Sequence, residues 1–324
     1  MWHRLRSPVQ RVAYYTVSIG REAVPRRLWR RWWAKRLAGI EAGPLDPEIA
    51  ERVAYYNKLW PGAAVGEAPP LDAMARRPSY YYYDLRQFAL AFAPHLRFAH
   101  VFGDVTTVPP VPAIVKSRPV DGANENSVLM KLDRLRHFRW PRDGGAFIDK
   151  KPAAVWRGVM NNAARKRLVA LYGNDPRFDI GHVGAVFEST MAKPRLTVRE
   201  QLAYRYVISL EGHDVATNLK WIMASNSLCM MPRPRYETWF MEGRLEPGVH
   251  YAELRDDLGD LPEKVEHFER HPDEARRIIA AAHAHVARFS DRKREELISL
   301  LVLQKYFECT GQIDPGFASA NLCR

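Results

Sequence analysis

A run of polar residues separates an apolar strand-like segment from an apolar helix-like segment in "SLEGHDVATNLKW", residues 209–221. Glu211 and Gly212 end the predicted strand, and Asp214 is placed to cap the predicted helix. The polar side chains that follow would then lie in the first helical turns, beside unpaired backbone N–H groups and the positive end of the helix dipole; they are Thr217, Asn218 and Lys220. This arrangement suits a phosphate or diphosphate. An ordinary capped helix would show the same local pattern, so the stretch alone does not identify a substrate.

The segments around this stretch alternate between strand-like and helix-like patterns, which predicts an α/β sheet. From about residue 153 the order is strand "AAVWRGV", helix "NAARKRLVALYG", strand "FDIGHV", helix "TVREQLAYR", strand "YVISLEG", helix "VATNLKWIMASN", strand "LCMMP", helix "YETWFMEG" and strand "VHYAEL". Two long helices are expected near residues 262–289 and 291–307. In such a sheet, ligands bind beyond the carboxyl ends of the strands, which is where the polar run falls.

The first part of the chain contains a predicted helix, a predicted strand and a proline-rich segment. A helix-like "YYYYDLRQFALAFA" leads to a strand-like "RFAHVF", which ends at Gly103 and Asp104. The proline-rich segment that follows, "GDVTTVPPVPAIVKSRPVDGANENS", is predicted to be a long loop that serves a site.

The net charge of +12 and the pI near 9.7 indicate an acidic partner, and most of the excess lies at the N-terminus. Residues 1–36 contain ten Lys or Arg and only one acid, Glu22, interleaved with tryptophans and tyrosines. A basic helical segment with tryptophans is typical of one that lies on an anionic membrane surface. Two alternatives stay open: an arm that binds nucleic acid without sequence specificity, and a solvated or packed segment.

Several classes of protein are disfavoured. No apolar run approaches the roughly 20 residues of a membrane-spanning helix, and the N-terminus lacks a cleavage pattern typical of a signal peptide. The three cysteines, Cys229, Cys309 and Cys323, have no CxxC spacing, which argues against a disulfide framework and a zinc site. A cytoplasmic location fits these observations.

Several segments together resemble glycosyltransferase family 90, the lipopolysaccharide-modifying and capsule-associated group that includes the animal protein O-glucosyltransferases. The resemblance covers about residues 79–309 and is carried by "VWRG", "ARKRLV", "YRYVISLEGHDVATNLKWIMASNSL", "YETWFMEGRLEPGVHY" and "DDLGDLPEKV". It implies a GT-B-like architecture of two facing Rossmann-type domains. It also implies a UDP-sugar donor held by the C-terminal domain, and inversion at the anomeric carbon without a metal or other cofactor.

The resemblance also assigns roles to residues. Its tryptophan-arginine-glycine motif falls on Trp156, Arg157 and Gly158, and its following arginine on Arg165. Arg157 is equally well explained as a buried structural arginine. The complete predicted donor site consists of Arg157, Gly158, Arg165, Glu211, Gly212, Asp214, Thr217, Asn218 and Lys220. No Asp-x-Asp motif is present, which agrees with a metal-free site.

The family's aspartate base falls on Asp104, although Gly-Asp is also ordinary turn chemistry. Asp84 is the second candidate for the base.

Four segments are predicted: a basic aromatic arm over 1–36, an acceptor-side domain over 37–152, a donor domain over 153–290, and a C-terminal helix and tail over 291–324 that could pack back on the N-terminal domain. We expect an enzyme, peripheral to the inner membrane, that moves a hexose from a UDP-sugar to a hydroxyl of a lipopolysaccharide core or related glycan. No specific nucleic-acid partner is expected. The alternatives are a noncatalytic glycan- or nucleic-acid-binding protein and a protein O-glycosyltransferase.

Overall fold

The computed structural model describes residues 8–41, 43–184 and 192–316, and these divide into two compact units. The first unit comprises the described parts of Met1–Arg134 and Asp291–Arg324, and the second is Leu135–Ser290. The predicted domain boundaries at 36/37, 152/153 and 290/291 stay predictions. No helix in the described ranges is long and apolar enough to cross a membrane.

The first unit begins with two helices, α1 (Pro8–Ala23) and α2 (Arg26–Glu41). It continues with α3 (Pro47–Tyr56) and α4 (Tyr80–Ala89), and it ends with α11 (Arg292–Cys309). The side chain of Asn57 donates to the carbonyl of Val302 at 3.0 Å, and Lys305 Nζ donates to the carbonyl of Asn57 at 2.6 Å. The last helix is therefore fastened to α3 inside this unit.

Four short strands accompany these helices: β1 (Ala99–Val101), β2 (Ala113–Val115), β3 (Ser117–Pro119) and β4 (Ser127–Leu129). The first, second and fourth form a parallel sheet in the order β1-β2-β4. The prediction of one continuous loop after Gly103 was wrong, because β2 and β3 lie within it. Ala113, Ile114 and Val115 are almost fully buried, so the short apolar run "AIV" between prolines forms a core strand.

The second unit contains the strands β5 (Lys151–Gly158), β6 (Asp179–His182), β7 (Tyr204–Ile208), β8 (Leu228–Met231), β9 (Tyr236–Thr238) and β10 (Ala252–Glu253). Five of them form a parallel sheet in the order β10-β8-β7-β5-β6. Its helices are α6 (Ala163–Tyr172), α7 (Val198–Gln201), α8 (Leu219–Met223), α9 (Leu261–Arg270) and α10 (Pro272–Ala287), and α5 (Arg134–His137) precedes them. The predicted mixed α/β fold with parallel strands is confirmed.

The core of this unit explains its strand sequences. Ala154, Tyr206, Ile208, Leu228 and Met230 on the three central strands are completely buried. Strands of a parallel sheet are covered on both faces, so they read as continuous apolar runs rather than as alternating ones. This is why the patterns "AAVW", "YVI" and "LCMM" predicted the strands correctly.

Four predicted helices differ from the structure. The segment "VATNLKWIMASN" is helical only over five residues, in α8, and "TVREQLAYR" only over four, in α7. The segment "YETWFMEG" forms β9 and a 3₁₀ turn, Glu242–Arg244, instead of a helix. The helix predicted over 262–289 is two helices, because Pro272 lacks an N–H and starts a new helix at α10.

Candidate functional site

The order of the strands in the second unit locates a crevice. The chain leaves β5 toward β6 on one side of the sheet, and it leaves β7 toward β8 on the other side. The neighbouring strands β5 and β7 therefore form the point at which the strand order reverses. Their outgoing loops diverge there, which leaves an open space beyond their carboxyl ends.

A cavity of about 490 Å³ occupies this position. One wall is the start of α6, from Asn162 to Ala164 with Arg167, and a second wall is the loop 209–213 after β7. A third wall comes from residues 231–236, after β8. The cavity is thus lined by residues that follow three neighbouring strands of the sheet, β5, β7 and β8. Of the predicted site residues, Glu211 and Gly212 line it.

Asn162 joins two of these walls. Its side-chain oxygen accepts from the backbone N–H of Arg165 at 3.0 Å and so caps α6. Its amide nitrogen donates to the carbonyls of Glu211 at 2.8 Å and Gly212 at 2.9 Å. One side chain therefore fixes the start of α6 against the loop that follows β7.

The ten-residue helix α6 provides the helix start at this cavity. Ala163 and Ala164 line the space and carry the first backbone N–H groups of the helix, which have no partners within the helix. Small side chains at these two positions leave the N–H groups accessible to an anion, and the helix dipole favours negative charge there. The sequence predicted this role for the helix after β7; the cavity is lined by the start of α6 and also by Leu219, the first residue of the five-residue helix α8.

Arg165 lies behind the loop rather than on the cavity surface. Its Nη2 donates to the carbonyl of Leu210 at 2.8 Å, and its Nη1 donates to Asn161 Oδ1 at 3.1 Å and to the carbonyl of Val159 at 3.3 Å. Its Nε has no hydrogen-bond partner within the part of the chain that is described. Burial lowers the pKa of Arg165 to about 10. The residue is therefore a buried positive charge close to the cavity wall.

Glu211 is held by the segment after β8. Its Oε1 accepts from the backbone N–H groups of Arg235 at 2.9 Å and Tyr236 at 3.1 Å, and its Oε2 accepts from Arg235 Nε at 3.2 Å. Burial raises the pKa of Glu211, while the hydrogen bonds and the charge of Arg235 act in the lowering direction. This carboxylate orients the third wall of the cavity.

Three arginines that line the cavity were not among the predicted site residues: Arg167, Arg233 and Arg235. Arg233 and Arg235 have largely exposed side chains, and each has a weak ion pair with a glutamate at 3.2–3.3 Å. The signal was present, because "PRPR" directly follows the strand "LCMM". Basic side chains at a strand end in an α/β sheet are candidates for phosphate contacts.

The residues after Gly212 do not form the capped helix start that the sequence predicted. The predicted cap at Asp214 was wrong: α8 begins at Leu219, and Asn218 occupies the N-cap position without a side-chain capping bond. Asn218 instead donates to the carbonyl of Ile208 at 2.9 Å. Asp214 is buried, and Asp214, Thr217 and Asn218 lie outside the cavity lining.

Lys220 is fully buried and forms an ion pair with Glu242, which is equally buried. Glu242 also accepts from the backbone N–H of Thr238 at 2.6 Å and from its hydroxyl at 2.9 Å. Glu242 lines the cavity, whereas the lysine does not. Lys220 is therefore placed to hold Glu242 and the turn around it.

The tryptophan-arginine-glycine motif has a clear packing role. A Cβ at Gly158 would lie 2.4 Å from the ring of Trp156, so the buried indole requires glycine there. Arg157 Nη2 pairs with Asp179 Oδ1 at 2.6 Å, and its Nε donates to the carbonyl of Pro194 at 3.0 Å. Of the two explanations of Arg157, these contacts favour the structural one.

Asp104 lies in the first unit, directly after Gly103, whose φ of +116° favours glycine. Its Oδ1 accepts from Lys116 Nζ at 2.5 Å and from the hydroxyl of Tyr81 at 3.4 Å. The carboxylate is about a third exposed, whereas the lysine is buried. A partly exposed carboxylate with a fixed orientation is a suitable proton acceptor.

Asp84, the second candidate for the base, has no exposed surface. It accepts from the hydroxyl of Tyr14 at 2.7 Å, from Arg134 Nε at 2.8 Å and from the backbone N–H of Arg134 at 2.9 Å. Burial raises the pKa of Asp84 to about 6, and Arg134 and Tyr14 act in the lowering direction. These contacts make it a structural link between α1, α4 and Arg134.

Sequence comparisons extend these observations. Glycosyl transferase family 90 matches residues 133–306. "O-glucosyltransferase LpsA" of Dichelobacter nodosus is 43% identical over 315 residues, covering 95% of this chain and 98% of that protein. This chain belongs to glycosyltransferase family 90. The predicted family and the predicted glycosyltransferase class of enzyme are therefore confirmed.

More distant relatives match part of the chain. Human "Protein O-glucosyltransferase 3" is 29% identical over 172 residues, and "Protein O-glucosyltransferase 2" of Danio rerio is 35% identical over 145 residues. These matches cover 51% and 43% of this chain, and only 34% and 29% of the animal proteins. The relation to the animal proteins thus concerns roughly half of this chain.

Proposed function

We propose that this glycosyltransferase moves a hexose from a UDP-sugar to a hydroxyl group of a lipopolysaccharide core or a related surface glycan, with inversion and without a metal. The cavity at the β5/β7 crevice is the observation that carries the proposal. It combines the start of α6 with three arginines, and an anion of the size of a nucleoside diphosphate fits these charges. Two facing Rossmann-type domains, the GT-B arrangement, belong to the same proposal.

In this proposal the diphosphate lies at the start of α6. The backbone N–H groups of Ala163 and Ala164 and the guanidinium of Arg167 contact it, and Arg165 contributes positive charge from behind the wall. The charge that develops on the departing UDP is stabilised by these fixed groups. Asn162 and Glu211 are positioning residues, because they hold the start of α6 and the residue 235–236 backbone in place.

Asp104 is the base in the proposed transfer. The acceptor oxygen forms a bond to the anomeric carbon while the bond from that carbon to the diphosphate oxygen breaks. The proton of the acceptor hydroxyl passes to the Asp104 carboxylate, and the electron pair leaves with UDP. A single displacement of this kind inverts the anomeric configuration.

The identity of the sugar is proposed from the relatives. The bacterial and animal relatives all have "O-glucosyltransferase" in their names, so UDP-glucose is the first donor to test. The animal names also favour a second candidate, glucosyl transfer to a serine or threonine hydroxyl of a protein. The match to LpsA covers nearly the whole of both chains and therefore favours the glycan acceptor.

The test is a screen of nucleotide sugars with the full chain, with thermal stabilisation and release of UDP as the measurements. We expect UDP-glucose to stabilise the protein and to be slowly hydrolysed, with EDTA making no difference. Addition of a lipopolysaccharide core oligosaccharide should raise UDP release, and a Ser-containing peptide should not. Absence of UDP release with every UDP-sugar would overturn catalysis and favour a noncatalytic glycan-binding protein. Loss of UDP binding in EDTA would overturn the metal-free site.

A further inference from the structure

Helix α1 is amphipathic, and its polar and aromatic face packs on the first unit while its apolar face does not. Tyr14 and Ser18 are buried, and the Tyr14 hydroxyl donates to Asp84. Arg21 bonds to Gln87, and Glu22 accepts from the hydroxyl of Tyr82 at 2.7 Å. This face therefore forms its hydrogen bonds with α4. Arg21 and Glu22, two of the charged residues of α1, take part in them.

The opposite face of α1 is apolar and exposed. Val9 and Val12 are 75% and 65% exposed, and Val17 and Ile19 are about half exposed. The other exposed residues of the helix are small or uncharged: Gln10, Ala13, Thr16, Gly20 and Ala23. None of the exposed residues in the described helix is charged. A helix on a water-soluble surface normally shows the reverse, with charged residues outward and apolar residues inward.

Helix α2, which follows directly, exposes positive charge. Arg27, Arg30, Arg31 and Lys35 are exposed, and none of them has an ion pair within residues 8–41, 43–184 and 192–316. Leu28 and Trp32 are exposed among them. We call the exposed side chains of α1 and α2 together the hairpin surface. It combines a neutral apolar strip with a cluster of unneutralised cations.

The tryptophans contribute less to this surface than the sequence suggested. Trp33 is 3% exposed, and its indole N–H donates to Gln304 at 3.3 Å. Trp29 is partly buried and donates to the carbonyl of Arg21 at 3.3 Å. Trp33 therefore anchors α2 to α11, and Trp29 links α2 to α1. The apolar contact with a partner must then come chiefly from the valines and isoleucine of α1, with Trp32 beside the cations.

We propose that the hairpin surface binds an anionic lipid bilayer, with the apolar face of α1 in the boundary between headgroups and acyl chains and the cations of α2 against lipid phosphates. An apolar helix face gains free energy when it leaves water for this boundary, and neighbouring cations add attraction to anionic lipid. Nucleic acid would satisfy the arginines but offers nothing to Val9, Val12 and Ile19. This inference rests on the first unit alone and does not depend on the proposed function.

The test is flotation of the full-length protein with vesicles of phosphatidylcholine alone and of phosphatidylcholine mixed with phosphatidylglycerol. We expect binding to the mixed vesicles only. Val12→Gln/Ile19→Gln should weaken it about 10-fold or more, because two apolar side chains no longer enter the boundary. Arg30→Gln/Arg31→Gln/Lys35→Gln should weaken it about 10²-fold, and raised salt should mimic that variant in part.

Matched controls use similar residues in the second unit. Leu171→Gln removes an exposed aliphatic side chain from a helix, and Lys166→Gln/Arg276→Gln/Arg277→Gln removes three exposed cations. Both controls should bind vesicles normally, and all variants should keep the thermal melting temperature of the parent. Equal binding by parent and hairpin variants would overturn the proposal. So would hairpin-dependent binding to duplex DNA without vesicle binding, or a hairpin-dependent dimer in sedimentation velocity.

Discussion

The guanidinium of Arg165 lies directly against Gly212, and a Cβ added at residue 212 would be 3.2 Å from Arg165 Nη2. Arg165 belongs to α6, which follows β5, and Gly212 belongs to the loop that follows β7. The absent side chain at residue 212 therefore lets the two walls of the crevice approach, with the buried positive charge of Arg165 behind the loop.

This contact predicts a selective defect for Gly212→Ala. The added methyl group would push the guanidinium or the loop by a few tenths of an ångström, since the contact is tighter than an ordinary van der Waals contact. We expect UDP to bind about 10-fold more weakly, as measured by calorimetry, with little loss of melting temperature. Gly144→Ala, where a Cβ would meet nothing within 4 Å, is the matched control. Unchanged UDP affinity in Gly212→Ala would show that this contact does not shape the site.

Arg167 offers a test of the proposed diphosphate position. It lines the cavity, whereas its neighbour Lys166 is also exposed on α6 but does not line the cavity. Arg167→Gln should weaken UDP binding about 10-fold or more, because a charge-assisted hydrogen bond is lost. Lys166→Gln, which removes the same charge one residue away, should bind UDP normally. If both variants lose affinity equally, only the general positive field matters and the assigned contact is wrong.

Asp104→Asn tests the proposed base. The asparagine oxygen can still accept from Lys116, but the amide cannot take the proton of the acceptor hydroxyl. Transfer should therefore fall by about 10²-fold or more, while UDP affinity stays the same. Asp121→Asn, an exposed aspartate in the same unit, is the control and should transfer normally. A turn aspartate would instead give a lower melting temperature and a parallel loss of binding and transfer.

The pH dependence of stability should reveal Asp84. Burial raises its pKa from 3.8 to about 6 in the folded protein, so the folded state binds this proton more tightly than the unfolded state. The resulting stabilisation is complete below the unfolded pKa and is lost as the pH rises through about 6. Between pH 7 and pH 5, the wild type should therefore gain about 1.4 kcal/mol of unfolding free energy relative to Asp84→Asn. Parallel curves for the two proteins would contradict the raised pKa.

The buried pair of Lys220 and Glu242 predicts a non-additive result. Lys220→Met should lower the unfolding free energy by about 3–5 kcal/mol, because it leaves the Glu242 carboxylate buried without its cation. Lys220→Met/Glu242→Gln should recover part of the loss, since the uncompensated charge is gone. Chemical denaturation of the two variants measures this. If the single and double variants were equally stable, the unpaired charge of Glu242 would not be the cause of the lost stability.

The sequence predicted the strands of the second unit well and its short helices poorly. Apolar runs such as "YVISL" and "LCMM" identify buried parallel strands because both of their faces need apolar side chains. Short helices depend on contacts that are distant in sequence. The Asn218 side chain, for example, donates to the carbonyl of Ile208 rather than capping a helix. The prediction from helical spacing alone was therefore longer than the observed helix α8.

The sequence by itself determined the family, through the resemblance of several segments to glycosyltransferase family 90. It also determined the parallel α/β character, the basic N-terminal helices and the place of the polar loop at the end of β7, because these follow from local composition and spacing. Only the tertiary structure decided that β5 and β7 are neighbours, which brings the start of α6 to the same cavity as the loop after β7. It also decided that Lys220 faces Glu242 in the interior and that Arg167, Arg233 and Arg235 meet at the crevice. Strand order and burial arise from contacts between residues far apart in the chain, and no local pattern records them.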